Sequence, residues 1–185
     1  MVKIYSFLLL LVVTAPCIAE QEWKSITDNS SIKFIASYDG VKFEGQFTRF
    51  SSTINFDPNK PSDNKLISSI DVTSVDTQSR DRDQALAEPD WFYFSKYPTA
   101  KFSSQTIKQL SDDQLEVQGV LYIREQQKEI SFPMQWTEIN NQRLAQASIA
   151  LDRRDFNIGI GEWLQDDTIG YDVEVIFSIT YELSN

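Results

Sequence analysis

The chain has 185 residues, 41% of them hydrophobic, with 27 acidic against 17 basic side chains, no histidine and one cysteine. A net charge of −10 with no concentrated basic stretch excludes a phosphate-binding surface, so nucleic acid is not an expected partner. With no histidine, and with the cysteine inside the leader described next, the mature chain lacks an imidazole base, a thiol nucleophile, a Cys/His zinc site and a disulfide.

The opening "MVKIYSFLLLLVVTAPCIAE" places Lys3 before an apolar run from Phe7 to Val13, then Cys17 and Ala19 at the minus-three and minus-one positions. That layout predicts a secretory signal peptide over 1–19, and its apolar run is too short to span a bilayer. Lipoprotein processing at Cys17 is disfavoured, because "TAPC" lacks the leucine such a site wants and Pro16 adjoins the bond. Removing Lys3 takes the charge from −10 to −11. An acidic exported protein without cysteine fits the bacterial periplasm, and residues 20–185 suit one domain with a core of its own.

The mature chain reads as a β-meander. In "SIKFIASY", Ile32, Phe34, Ala36 and Tyr38 share one parity, the period-two mark of a half-buried strand. Asp39-Gly40 supplies a type I′ turn signal, and "VKFEGQF" resumes the alternation with Val41, Phe43, Gly45 and Phe47. The third strand, "LISSIDVTSV", turns Ile70 and Val72 inward. A connection follows with a short helix over 81–86, ended by Pro89, and an aromatic cluster that includes Trp91, Phe92 and Phe94. The fourth strand, "TAKFSSQTI", carries Phe102 inward, and "LEVQGVLYI" carries Leu121 and Ile123. "EISFPMQW" contributes Phe132, Met134 and Trp136, and "RLAQASIAL" contributes Ile149 and Leu151. A glycine-containing connection with Trp163 leads to "YDVEVIFSITY", whose inward residues include Val175 and Phe177.

About eight antiparallel strands with one apolar face each predict an all-β fold closed into a single barrel, although a two-sheet sandwich would show the same alternation. Ordinary packing accounts for each inward residue. Small ones among them, Ala36, Gly45, Gly119, Ala145 and Ala147, leave volume that bulky neighbours or a ligand can fill. The charged runs "RDRD" at 80–83 and "DRRD" at 152–155 are read as local ion pairs and caps, with Asp81 capping the short helix, in preference to a headgroup site. Glu162, Asp166 and Asp167, with Glu88 or Asp90, are read as a solvated loop. Spacing alone does not supply the fixed separation that a carboxylate hydrolase needs, so no enzyme is expected.

Taken together, "IDVTSVDTQSRDRDQALAEPDWFYFSKYPTAKFSS", "VQGVLYIREQQKEISFP" and "LDRRDFNIGIGEW" resemble the YceI-like family of exported lipocalin-like proteins, from about Trp23 to the C-terminus. The resemblance implies an eight-stranded antiparallel lipocalin-like barrel with a short helix before the fourth strand. It also implies an apolar cavity for a polyisoprenoid or isoprenoid-quinone-type lipid, held for sequestration or transport in the periplasm without a cofactor. The inward residues named above, from Phe34 and Tyr38 to Phe177, are then the expected lining, and the aromatic connection is read as crossing one barrel end, where Trp91 and Phe94, with Trp163, form part of a lid or a purely structural plug. Many relatives carry a histidine where this chain has "SYDG", and some have glycine in place of Asn157, a residue that tolerates positive φ. The alternative is a non-catalytic periplasmic interaction or structural protein whose barrel is filled by its own side chains. Transient contact with a membrane or a membrane redox protein, and a homodimer, are compatible with either.

Overall fold

A computed structural model of the chain describes residues 22–165 and 168–184. The leader over 1–19 with Cys17, and the loop carboxylates Asp166 and Asp167, lie outside the described residues.

Among the described residues ten strands form one antiparallel sheet that closes on itself. They are β1 (Glu22–Tyr38), β2 (Val41–Phe47), β3 (Phe50–Asn55), β4 (Lys65–Asp71), β5 (Val75–Asp76), β6 (Thr99–Ser111), β7 (Gln114–Ile123), β8 (Gln126–Ile139), β9 (Gln142–Asp152) and β10 (Asp172–Leu183). β2 with β3, and β4 with β5, are single staves bent at one level, so the closed barrel has eight staves. The ring is shut by β1 against β10, from Trp23 opposite Leu183 to Ile35 opposite Glu174. The barrel alternative is therefore the observed one.

Local chemistry explains where the staves turn and bend. Asp39 and Gly40 have φ of 47° and 73°, the two positive values that a type I′ hairpin requires, and Asn140 with Asn141 repeats the pattern between β8 and β9. The continuous strand read in "LISSIDVTSV" is broken instead by a 3-10 turn at Val72–Ser74. There the Ser74 carbonyl accepts from Thr48 N and its hydroxyl accepts from Arg49 N, satisfying the break between β2 and β3. β1 begins at Glu22, ahead of the expected start, and bulges between Ile26 and Ser31. Ser30 Oγ fills that gap, donating to the Ile26 carbonyl at 2.5 Å and accepting from Thr180 N at 3.0 Å.

A short helix α1 (Arg80–Leu86) precedes β6, the fourth stave. Its N-cap is Ser79, whose side chain accepts from Arg82 N; Asp81 is exposed and does not cap. Asp83 instead accepts from Thr77 N at 3.0 Å and Thr77 Oγ1 at 2.7 Å, fastening the helix to the turn before it. No helix among the described residues is long and apolar enough to cross a membrane.

The interior has two levels. At one end Ile54, Ile107, Leu115, Val117, Met134 and Trp136 pack solidly, with Trp136 in edge contact with Trp23 and Tyr181. At the other end Trp91, Phe156 and Ile158 form a smaller cluster beneath the loops. Gly45 and Gly119 do not leave room between the levels: a side chain at Gly45 would run into the Phe34 ring. At Gly119 a Cβ would sit 2.5 Å from the Ser103 carbonyl oxygen and 2.7 Å from Ser104 Cα, which are backbone atoms that cannot step aside. Gly119→Ala is therefore expected to cost about 2–3 kcal/mol, read as a lower urea midpoint, whereas a neutral result would mean that β6 and β7 separate easily here.

Candidate functional site: an apolar cavity under two loops

Between the two clusters lies a cavity of about 280 Å³. Its walls come from nearly every stave. Phe34 and Tyr38 (β1), Phe47 (β2), Ile70 (β4), Phe102 (β6), Leu121 and Ile123 (β7), Phe132 (β8), Ile149 and Leu151 (β9), and Val175 and Phe177 (β10) all line it. Val72 joins them from the 3-10 turn, and Trp91 and Trp163 from the loops. These are the inward-parity residues expected from the sequence.

Three expected residues lie elsewhere. Met134 and Trp136 share the parity of Phe132 but sit in the solid end, only 1% and 3% exposed. Alternation tells inside from outside but carries no information about height along the barrel. Phe94 does not reach the cavity, and Phe92 does. The chain from 87 to 97 is a run of turns in which Tyr93 has φ 55° and both Trp91 N and Tyr93 N bond to the Glu88 carbonyl, so strand-like alternation does not apply. Phe94 packs against the outer side of Phe92, with ring centroids 6.3 Å apart.

Residues that sequence reasoning did not single out complete the walls. Phe43 and Val173 have the right parity, and Ala85 and Leu86 come from α1. Phe156, Ile158 and Ile169 come from the connection before β10, where no periodicity marks them. At the inner floor Tyr181 Oη and Ser52 Oγ lie 2.7 Å apart, and Ser52 Oγ is 2.7 Å from Ser68 Oγ. Burial raises the Tyr181 phenol above its ordinary pKa, opposed in part by the Ser52 contact, and keeps it neutral.

The cover is two loops fastened together. The Asp90 carbonyl accepts from Gly159 N at 2.8 Å and Ile160 N at 3.0 Å, and Trp91 packs against Trp163 at a tilt of 50°, with centroids 5.7 Å apart. Arg124, in the turn between β7 and β8, donates from Nη1 to the carbonyls of Trp91 and Asn157, at 2.6 and 2.5 Å. Asn157 adopts the left-handed conformation, φ 53°, which asparagine tolerates better than most residues. The same loop folds onto the β1–β2 hairpin, where Asp39 N donates to the Thr168 carbonyl at 2.7 Å and Gly170 N to Ser37 O at 3.2 Å.

Arg153 organises this loop from inside. It is 3% exposed, and its guanidinium donates to the carbonyls of Gly170, Ile158, Gly159, Trp163, Gln165 and Ile169. The local pairing expected within "DRRD" joins Arg154 to Asp152, at 2.5 Å, and the charge of buried Arg153 also acts on the Asp152 carboxylate. Two adjacent arginines read alike in sequence, yet here one faces solvent and one faces the core.

Glu125 fixes the outer rim. Its carboxylate accepts from Asn157 Nδ2 at 2.9 Å, which with Tyr97 and Arg124 holds its pKa at about 2, against an ordinary 4.5. A folded-state pKa below the unfolded value contributes stability that is present above pH ~4.5 and lost as pH falls towards about 2. Glu125→Gln should therefore melt closer to the wild type at pH 2 than at pH 6; a gap that does not narrow on acidification would show that this carboxylate adds nothing. Glu88 and Glu162 are exposed, and among the described residues no acidic cluster is arranged to hold a metal ion.

Comparison with known proteins follows this architecture. The model of the YceI-like domain family matches residues 23–181. Protein YceI of Escherichia coli O17:K52:H18 is 39% identical over 77 residues, 42% of this chain and 40% of the relative. A UPF0312 protein of Shewanella denitrificans is 34% identical over 94 residues, 50% of this chain and 49% of the relative. The chain spans about half the length of the curated relatives it matches. Among solved structures, Burkholderia cenocepacia BcnA superposes with a TM-score of 0.80 at 26% identity, covering 84% of this chain and 98% of that one. A polyisoprenoid binding domain from Saccharophagus degradans, implicated in plant cell wall breakdown, superposes with a TM-score of 0.71 at 18% identity, over 88% and 98% of the two chains.

Proposed function

The chain belongs to the YceI-like domain family, and on that premise we propose that it is a non-catalytic carrier that holds a polyisoprenoid or isoprenoid-quinone-type lipid inside its barrel. The observation that carries the reading is the cavity of about 280 Å³ walled almost wholly by apolar side chains. Hiding on the order of 400 Å² of prenyl surface would yield roughly 10 kcal/mol gross, enough to leave useful affinity after ordering and association costs. No reactive group is needed for this. The polyisoprenoid binding domain of S. degradans, with the same fold, lends the ligand class its support.

At about 280 Å³ the cavity falls just below the usual range for small-molecule sites, roughly 300–1,000 Å³. The barrel therefore encloses a short length of chain, with the solid end beneath Tyr181 as its stop. The leader pattern at 1–19 supports a periplasmic carrier. Exposed Tyr38, Val41 and Leu164 around the loop end are the surface through which lipid would pass to and from a membrane.

Purification from the native compartment, followed by organic extraction and mass spectrometry, tests the proposal. A prenyl compound recovered in stoichiometric amount is the expected result. A protein that comes out empty and takes up no prenyl compound afterwards would instead support the self-filled barrel, a reading favoured by the solid packing around Trp136.

A further inference from the structure

We propose that lipid enters and leaves the cavity sideways, through a gate formed by α1 where the barrel wall lacks a strand, while the two fastened loops above stay shut. The inference rests on the lipid-binding reading above and adds the route.

The wall is incomplete on one side. β2 meets β5 only at Gln46 and Phe47, so residues 41–45 have β1 along one edge and no strand along the other, among the described residues. Across from that edge β6 starts at Thr99, opposite Asp71. The chain between them, 77–98, contains no strand, and α1 stands there in place of a stave. Two cavity-lining residues that flank the gap are also open to solvent: Tyr38 at the hairpin tip, 47% exposed, and Ala85 on α1. A side chain that meets both the hole and the water marks a threshold.

The helix is held lightly along its length and firmly at its root. None of its residues is buried. Leu86 packs half-buried against the cluster of Trp91, Phe156 and Ile158, and the Arg82 guanidinium lies 4.7 Å from the centre of the Phe43 ring. No hydrogen bond or ion pair joins residues 80–86 to residues 41–45, among the described residues. At the root, Thr77 is 1% exposed, donates from N and Oγ1 to the Asp83 carboxylate, and accepts at its carbonyl from Arg82 Nη2 at 2.8 Å. Swinging α1 about the 77–79 turn therefore gives up one apolar contact and one cation–π contact. Other openings cost more. Parting two staves breaks a ladder, parting the two loops breaks both bonds to the Asp90 carbonyl, and lifting the loops together breaks the Arg124 bonds and those to Ser37 and Asp39.

Stopped-flow tryptophan fluorescence with farnesol reads entry and exit, because Trp91 and Trp163 line the cavity. Asp83→Ala lies off the cavity wall and cuts the root of α1, so it should raise both rates about tenfold or more. Ser79→Ala removes the N-cap and should raise them about threefold. Rates unchanged in these variants would overturn the gate.

A reversible lock tests the cover separately. A Cβ at Gly170 would lie 3.7 Å from Ser37 Cβ, within the span of a disulfide, so Ser37→Cys with Gly170→Cys can be cross-linked, and residues 20–185 contain no other cysteine. The oxidised and reduced forms of this double variant should take up farnesol at equal rates. Uptake that stops on oxidation and returns on reduction would place the opening at the cover and overturn the proposal. Wild type that binds no farnesol at equilibrium would defeat the lipid-binding reading itself, whereas binding at rates indifferent to α1 would defeat only this inference.

Discussion

Arg153→Met should unfold about 10 °C below the wild type, a loss of roughly 4 kcal/mol and the largest stability effect of any single change outside the solid end. The reason is the six carbonyls that share its guanidinium, those of Ile158, Gly159, Trp163, Gln165, Ile169 and Gly170. Methionine fills the aliphatic part of the space but has no hydrogen to donate, so these carbonyls must find water or stay unsatisfied. Water can enter only if the loop lifts. Arg153→Lys should recover little, because an ammonium donates from one point and cannot reach acceptors spread around a planar fork. Scanning calorimetry of the two variants decides the matter: a shift of less than about 2 °C for methionine would show that the loop reorganises without this residue.

Filling the cavity should have the largest effect on binding. Ala36 and Ala100 both line it and are 9% and 6% exposed, so phenylalanine at these positions must project into the open space. Ala36→Phe with Ala100→Phe should weaken prenyl-lipid binding about 100-fold or more, about 2.7 kcal/mol. The melting temperature should change little, because the rings enter a void where over-packing strain of about 1–3 kcal/mol need not develop. Equilibrium titration with the extracted lipid, run beside a thermal melt, separates the outcomes. Undiminished binding by a well-folded double variant would place the lipid outside the barrel and end the carrier proposal.

The eight-stave barrel was legible because one-sided burial forces strict alternation, and because Asp39-Gly40 marks its hairpin by conformational demand alone. The second stave's continuation, "FSSTIN", was not read, since Thr48 and Arg49 interrupt the parity and are completed by Ser74, distant in sequence. The start of β1 was missed for a related reason: residues 27–30 bulge out, and the repair comes from Ser30 bonding to β10. For the site, parity found the walls, but Met134 and Trp136 show that it does not give axial position. Gly45 and Gly119 show that a small residue can mark a ring already seated there as readily as a vacancy. In the loops, where no period operates, Phe92 reaches the cavity in place of the expected Phe94, and Arg153 is indistinguishable from Arg154.

The seam between β1 and β10 also governs how the molecule comes to exist. Ser30 and Thr180, which bond across it, are 150 residues apart, so the first stave waits for the last. Until the C-terminal strand arrives, two unpaired edges are open to other chains, and the long search for partners makes assembly slow. Loss of the final dozen residues would therefore not trim the protein but leave it as an aggregating ribbon.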